Sequence, residues 1–214
     1  MKGYCFDLDG TLIDSMWIWD RLPYDYLLSK GINPPENIGE KLKQYSLKEA
    51  SSVLKDMFDL KESNQQINIE MENMLKKFYE EQVELKKGAL ELLKNLKTNN
   101  SKIALVTATE EKLLLPAIKR LGIHEYFDFI QTCGNVGFEK YDVNFFKILI
   151  NRLGLATKDV FLFEDALHSM ETAKKLGIKV VAIKDSTNLS DWDKICMTAD
   201  ICLNDLTEYN LEDL

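Results

Sequence analysis

Gly3-Tyr4-Cys5-Phe6-Asp7-Leu8-Asp9-Gly10-Thr11 opens the chain with an apolar run that ends in two acids and a glycine. Such a run, bounded by an Asp-Gly turn signal, predicts a strand over residues 3–8. The two-residue period of a strand puts Asp7 and Asp9 on one face. Gly10 lets the backbone turn sharply after them. Two carboxylates at the carboxyl end of a parallel strand lie where open α/β sheets place ligands. A pair of this kind can divide labour at phosphorus: one carboxylate attacks, and the other, near a bound cation, moves a proton. The same residues also fit an Asp-Gly turn that only ends a strand.

Outward from this stretch, short apolar runs alternate with amphipathic ones. Further strands are predicted at Lys102–Thr107, Phe129–Thr132, Val160–Phe163 and Lys179–Ile183. Helices are predicted over Gly88–Lys97, with Leu92, Leu93 and Leu96 on one side, over Val143–Leu153, and over Ser169–Leu176, where Gly177 is a natural stop. Pro116 predicts a helix after Thr109 that kinks or starts late. Strand–helix alternation implies right-handed crossovers, hence an α/β fold: a Rossmann-like parallel sheet between two helical layers. Residues 15–84 break the alternation with helix-like segments alone, turning at Gly31–Pro35 and near Ser63. They read as a helical cap inserted after the first strand, leaving 1–14 and 85–214 as the α/β core. The acidic end from Glu208 is expected to fray.

Composition narrows the function. The 214 residues are 45% hydrophobic and 29% charged, enough apolar material for a packed core. Lys and Arg number 27 against 35 Asp and Glu, a formal charge of −8. That balance argues against nucleic acid or an anionic membrane as a stable partner, since both need a basic footprint. No stretch approaches the roughly 20 apolar residues of a membrane span, and acid at Asp7 interrupts any signal-like start. Cys5, Cys133, Cys196 and Cys202 form no CxxC pair, so neither a metal cluster nor a disulfide framework is expected. The expectation is a reduced, cytoplasmic, monomeric protein.

Three further clusters carry chemistry. Thr107 ends a buried strand and is followed by the exposed amides of Ala108 and Thr109, which can hold phosphate oxygens. Lys140 stands just before a helix. Glu164-Asp165 ends the strand Val160–Phe163 with paired oxygen ligands of the kind a hard cation such as Mg²⁺ prefers. Each of these, alone, is also an ordinary strand end or solvated loop.

Together and in this order, the clusters resemble the haloacid dehalogenase-like superfamily of aspartyl phosphotransferases over nearly the whole chain. Asp7-Leu8-Asp9-Gly10-Thr11 is similar to its first motif, Thr107 to the second, Lys140 to the third and Glu164-Asp165 to the fourth. Lys86-Lys87-Gly88-Ala89-Leu90-Glu91-Leu92-Leu93 resembles the family's return from cap to core. The insert is similar to the cap of the β-phosphoglucomutase and phosphatase branch. The resemblance implies that Asp7 attacks phosphorus and forms an aspartyl-phosphate. Asp9 would protonate the leaving alcohol and then activate water. Mg²⁺ would be held by Asp7, Asp165, the Asp9 main-chain carbonyl and Glu164, and the phosphoryl oxygens by Thr107, the Ala108 amide and Lys140. Closure of the insert about a hinge near Ser15 would exclude water.

Departures from the family pattern refine this. Lys140-Tyr141-Asp142 is shorter than the usual Lys-Pro-x-Pro-Asp, Ala166 replaces a common Ser, and Ser169 a usual Gly. β-Phosphoglucomutases carry a His where this chain has Trp19, and a Val-Ser-Arg grip where it reads Tyr45-Ser46-Leu47-Lys48. A phosphatase of a small phosphorylated metabolite is therefore preferred to a sugar-phosphate mutase. A receiver-like signalling module or a silent phosphate-binding protein are the rivals of another class, disfavoured by the insert and by the presence of both Asp7 and Asp9. Trp17, Trp19, Arg21 and Tyr24 are core aromatics or substrate contacts. His168 is a helix-start residue or a substrate contact, His124 a surface or turn residue, and Cys5 and Cys133 small buried apolar groups.

Overall fold

The structure, a computed structural model, describes residues 1–42, 45 and 47–211. Ser46 of the stretch compared with the mutase grip lies outside the described residues, as do residues 212–214. The strands are β1 Gly3–Phe6, β2 Ile13–Asp14, β3 Glu84–Leu85, β4 Lys102–Thr107, β5 Phe129–Thr132, β6 Val160–Glu164, β7 Lys179–Ile183 and β8 Ile201–Leu203. The helices are α1 Met16–Ser29, α2 Ile38–Leu42, α3 Leu47–Phe58, α4 Asn64–Glu81, α5 Ala89–Thr98, α6 Glu111–Arg120, α7 Cys133–Val136, α8 Val143–Leu153, α9 Leu167–Lys174 and α10 Trp192–Thr198. Two compact units result: Met1–Asp14 with the chain from Glu84 on, and Ser15–Val83.

In the first unit six parallel strands run in the order β5-β4-β1-β6-β7-β8. This is a Rossmann-like α/β sheet. β1 lies between β4 and β6, where the direction of the crossovers reverses and the carboxyl edge opens into a crevice. Alternation along β1 divides the core. Cys5 joins Ala104, Val106, Leu162 and Val180 under Phe145, Phe146 and Leu149 of α8 and Met170 of α9. Tyr4 and Phe6 instead stack on their register partners Phe161 and Phe163, at 5.1 and 4.5 Å between ring centroids.

Several expectations are corrected. β1 stops at Phe6, not Leu8, because the Leu8 carbonyl accepts from the backbone N–H groups of Thr11, Leu12 and Ile13 and so belongs to a turn. α6 starts at Glu111, well before Pro116: Leu113, Leu114, Ala117 and Ile118 are buried, and that apolar burial outweighs the roughly 3 kcal/mol that an interior proline costs. β8 was too short to show a period. Cys196 and Cys202 form a disulfide with Cα atoms 5.7 Å apart, since α10 and β8 bring them back together within bridging range. The C-terminal stretch does not fray at its start. Leu206–Glu208 is a 3₁₀ turn, and the Tyr209 ring packs edge-on against Phe163 at 4.9 Å.

The second unit holds α1 to α4. Ser63 caps α4 by accepting from the Gln66 N–H. Trp17 packs edge-on against Phe78, and Lys30 Nζ lies 2.7 Å from both Glu62 and Glu70. Among the described residues no helix is long and apolar enough to cross a membrane.

Candidate active site

The site grows from the end of β1. Asp7 is still tied to the sheet, its N–H donating to the Phe163 carbonyl at 2.9 Å. The chain then turns within residues 8–13, with Gly10 at φ +79°, a conformation a β-carbon disfavours. Lys86 pins this turn. Its Nζ donates to the Gly10 carbonyl at 2.7 Å, the Lys184 carbonyl at 3.0 Å and Asp185 Oδ2 at 2.7 Å.

Beside the turn, Asp7, Lys140, Glu164 and Asp165 come together, each no more than 6% exposed. Lys140 Nζ donates to Asp7 Oδ1 and, at 2.7 Å, to Glu164 Oε2. Lys140 thus reaches the acids despite its shortened sequence context. Asp142, capping α8 through the Asn144 N–H, holds the loop that delivers it. Glu164 Oε2 also accepts from Ser169 Oγ at 2.7 Å, and Oε1 from the N–H groups of Asp165 and Ala166. Asn188 Nδ2 donates to the Asp165 carbonyl at 3.1 Å.

These contacts set the charges. Burial acts against ionised Glu164, but Lys140 and the Ser169 and Ala166 donors outweigh it and hold its carboxyl below the usual range. Burial pushes Asp7 and Asp165 well above theirs; Lys140 opposes this at Asp7, while Glu164 reinforces it at both. Burial would lower Lys140, yet the Asp7 and Glu164 charges raise it. Three buried carboxylates thus face one ammonium. One oxygen from each of Asp7, Glu164 and Asp165 lies within 4.8 Å of the others. An all-oxygen, under-neutralised set of this kind fits a hard divalent cation.

On the other flank, Thr107 ends β4, buried, with exposed Ala108 after it. The Thr109 N–H donates to Thr107 Oγ1 at 3.0 Å, and Thr109 Oγ1 donates to Asp9 Oδ2 at 2.5 Å. Sequence reasoning named Asp7, Asp9, Thr107, Ala108, Lys140, Glu164 and Asp165. It read Thr109 as an exposed amide, whereas Thr109 is buried with its N–H on Thr107 and its hydroxyl on Asp9, and it missed Ser169, Lys86, Asp185 and Asn188 as partners. Only Thr109, two residues past Thr107 on the same loop, carried a usable local signal.

Trp17 is packed on Phe78, Trp19 is 38% exposed, and Arg21 pairs with Asp25 in α1. His168 is exposed in the first turn of α9, and His124 lies 3.0 Å from Glu125. Cys5 and Cys133 are buried free thiols. Burial raises both, Cys133 to about 12, as befits apolar packing rather than nucleophiles.

Comparison with known proteins gives the family of the chain. Residues 4–183 match the family described as haloacid dehalogenase-like hydrolase. A phosphorylated carbohydrates phosphatase of Thermotoga maritima is 25% identical over 84% of this chain and 83% of its own. Phosphoglycolate phosphatase 1 of Pseudomonas aeruginosa is 26% identical over 83% of this chain and 67% of its own. Among solved structures, the β-phosphoglucomutase of Clostridium difficile superposes with a TM-score of 0.73 at 21% identity, covering 99% of this chain and 94% of that one. The chain belongs to the haloacid dehalogenase-like hydrolases.

Proposed function

We propose that this hydrolase is a Mg²⁺-dependent phosphatase of a small phosphorylated metabolite, working through an aspartyl-phosphate on Asp7. The observation that carries the reading is the buried set Asp7, Glu164 and Asp165 with Lys140 in their midst, at the crevice edge of β1 and β6. Phosphoryl transfer needs in-line placement and neutralised equatorial oxygens more than covalent chemistry, and Lys140 together with a bound cation would supply the neutralising charge here. Asp7 Oδ attacks phosphorus as the bond to the leaving oxygen breaks, and Asp9 gives that oxygen its proton. Asp9 then takes a proton from water as the water oxygen attacks phosphorus and Asp7 leaves. Lys140, Thr107 Oγ1 and the Ala108 amide hold phosphoryl oxygens. Asp7, Asp165, Glu164 and the Asp9 carbonyl would hold Mg²⁺, which supplies the positive charge that lets a dianion approach several acids.

In this reading residues 1–14 and 85–214 are the catalytic core and residues 15–84 a cap. The names of its relatives make phosphorylated carbohydrates and phosphoglycolate the first substrates to try.

The test is steady-state phosphate release from p-nitrophenyl phosphate and a panel of phosphometabolites, with Mg²⁺ and with EDTA, for wild type and Asp7→Asn. Metal-dependent turnover that Asp7→Asn loses supports the proposal. Folded wild type that releases no phosphate, but interconverts β-glucose 1-phosphate in the presence of a bisphosphate, overturns it in favour of a mutase.

A further inference from the structure

Thr109 has no part in the catalytic steps described above, yet it is buried and donates from Oγ1 to Asp9 Oδ2. Asp9 itself is only half-buried. A carboxylate at the end of a turn has two soft side-chain torsions and two equivalent oxygens. Each fixed hydrogen bond to it narrows the orientations that its oxygens can take toward the leaving group. The Thr109 hydroxyl is itself held, because the Thr109 N–H donates to Thr107 Oγ1 at 3.0 Å. One loop therefore carries both the phosphate-side hydroxyl of β4 and the group that grips the carboxylate.

We propose that Thr109 is a positioning residue for proton transfer: its hydroxyl holds Asp9 Oδ2 and so orients the carboxyl that moves the proton. The inference rests on the phosphatase reading and deepens it. In the first half-reaction the Asp9 carboxyl loses its proton to the departing alkoxide as the phosphorus–oxygen bond breaks. The new carboxylate charge is met at Oδ2 by the Thr109 O–H. In the second half-reaction the Asp9 carboxylate takes a proton from the attacking water while Thr109 keeps Oδ2. Thr109 exchanges no proton with substrate, so its contribution is geometric and electrostatic.

Leaving-group dependence separates this role from a structural one. A poor leaving group needs the proton at the moment the bond breaks, and an acidic phenol hardly does. kcat/KM reports the steps up to and including the first irreversible one, formation of the aspartyl-phosphate. It is measured with Mg²⁺ for p-nitrophenyl phosphate, phenyl phosphate and β-glycerol phosphate on wild type, Thr109→Val, Thr109→Ser and Asp9→Asn. Thr109→Val is expected to lose about 10-fold or more on β-glycerol phosphate, with little change on p-nitrophenyl phosphate. Thr109→Ser, which keeps the donor, should restore most of that loss. Thr109→Ala replaces Thr109→Val if the latter does not fold by circular dichroism.

Equal losses on all three substrates, or none, overturn the inference. If Asp9→Asn shows the selective loss and the Thr109 variants do not, the phosphatase reading stands and the positioning role fails. If wild type turns over none of the three, both fail together.

Discussion

Glu164 is 1% exposed and ionised, which in isolation would be costly. Donors meet both of its oxygens: Lys140 and Ser169 at one, the Asp165 and Ala166 N–H groups at the other. Ser169→Ala removes one donor to a buried charge. It should cost about 1.5–3 kcal/mol of stability and weaken Mg²⁺ binding about 10- to 100-fold, as loss of a ligand's outer partner does. Urea denaturation and calorimetric titration would read the two effects. Ser169 shows why part of the site was illegible in sequence. It stood out only as a departure from the family's glycine, whereas its value lies in meeting Glu164, one helical turn into α9.

At the scale of elements, the turn after β1 is tied to the loop after β7 by Lys86, a residue at the far end of the chain's excursion through the helical unit. Asp185 is 4% exposed at its side chain. Burial would raise its carboxyl, but the Lys86 ammonium and the Thr187 N–H bring it below its usual range. A carboxyl depressed in the folded state stabilises at neutral pH and loses that contribution as pH falls below about 4. Lys86→Ala should therefore lower stability by about 3–5 kcal/mol at pH 7, since it leaves Asp185 buried without its counter-charge. It should also flatten the acid limb of the stability–pH curve; an unchanged limb would show that Asp185 does not depend on Lys86.

The elements were unevenly legible. Val143–Leu153 and Lys102–Thr107 announce themselves through long apolar periodicity and match the observed α8 and β4. β8 and the β2–β3 pair did not, because two or three residues carry no period and exist only by pairing with a distant strand. The Lys86–Asp185 contact spans 99 residues, and nothing local to either residue signals it.

For the molecule as a whole, the acid cluster has consequences for stability as well as chemistry. Three buried carboxyl groups around one ammonium cannot readily all ionise together, so a bound cation should stabilise the folded state. At 100 times its Kd, Mg²⁺ should add about 2.7 kcal/mol, visible as a rise in Tm that EDTA reverses. Asp165→Asn removes one of the clustered buried acids. It should leave metal-free stability unchanged or raised while abolishing most of the Mg²⁺ shift. A full shift in Asp165→Asn would place the cation elsewhere.

Sequence alone determined the parallel α/β architecture and the residues worth watching. Apolar period, Gly and Pro placement and acids at strand ends are local properties, and each is written within a few neighbouring positions. Only tertiary structure decided how those residues act together: Lys140 between Asp7 and Glu164, Thr109 on Asp9, Lys86 under Gly10, Cys196 against Cys202. The parallel crossovers bring strand ends together from positions more than a hundred residues apart. In that buried crevice, low dielectric and lost hydration convert proximity into charge coupling, and linear spacing does not encode such distances.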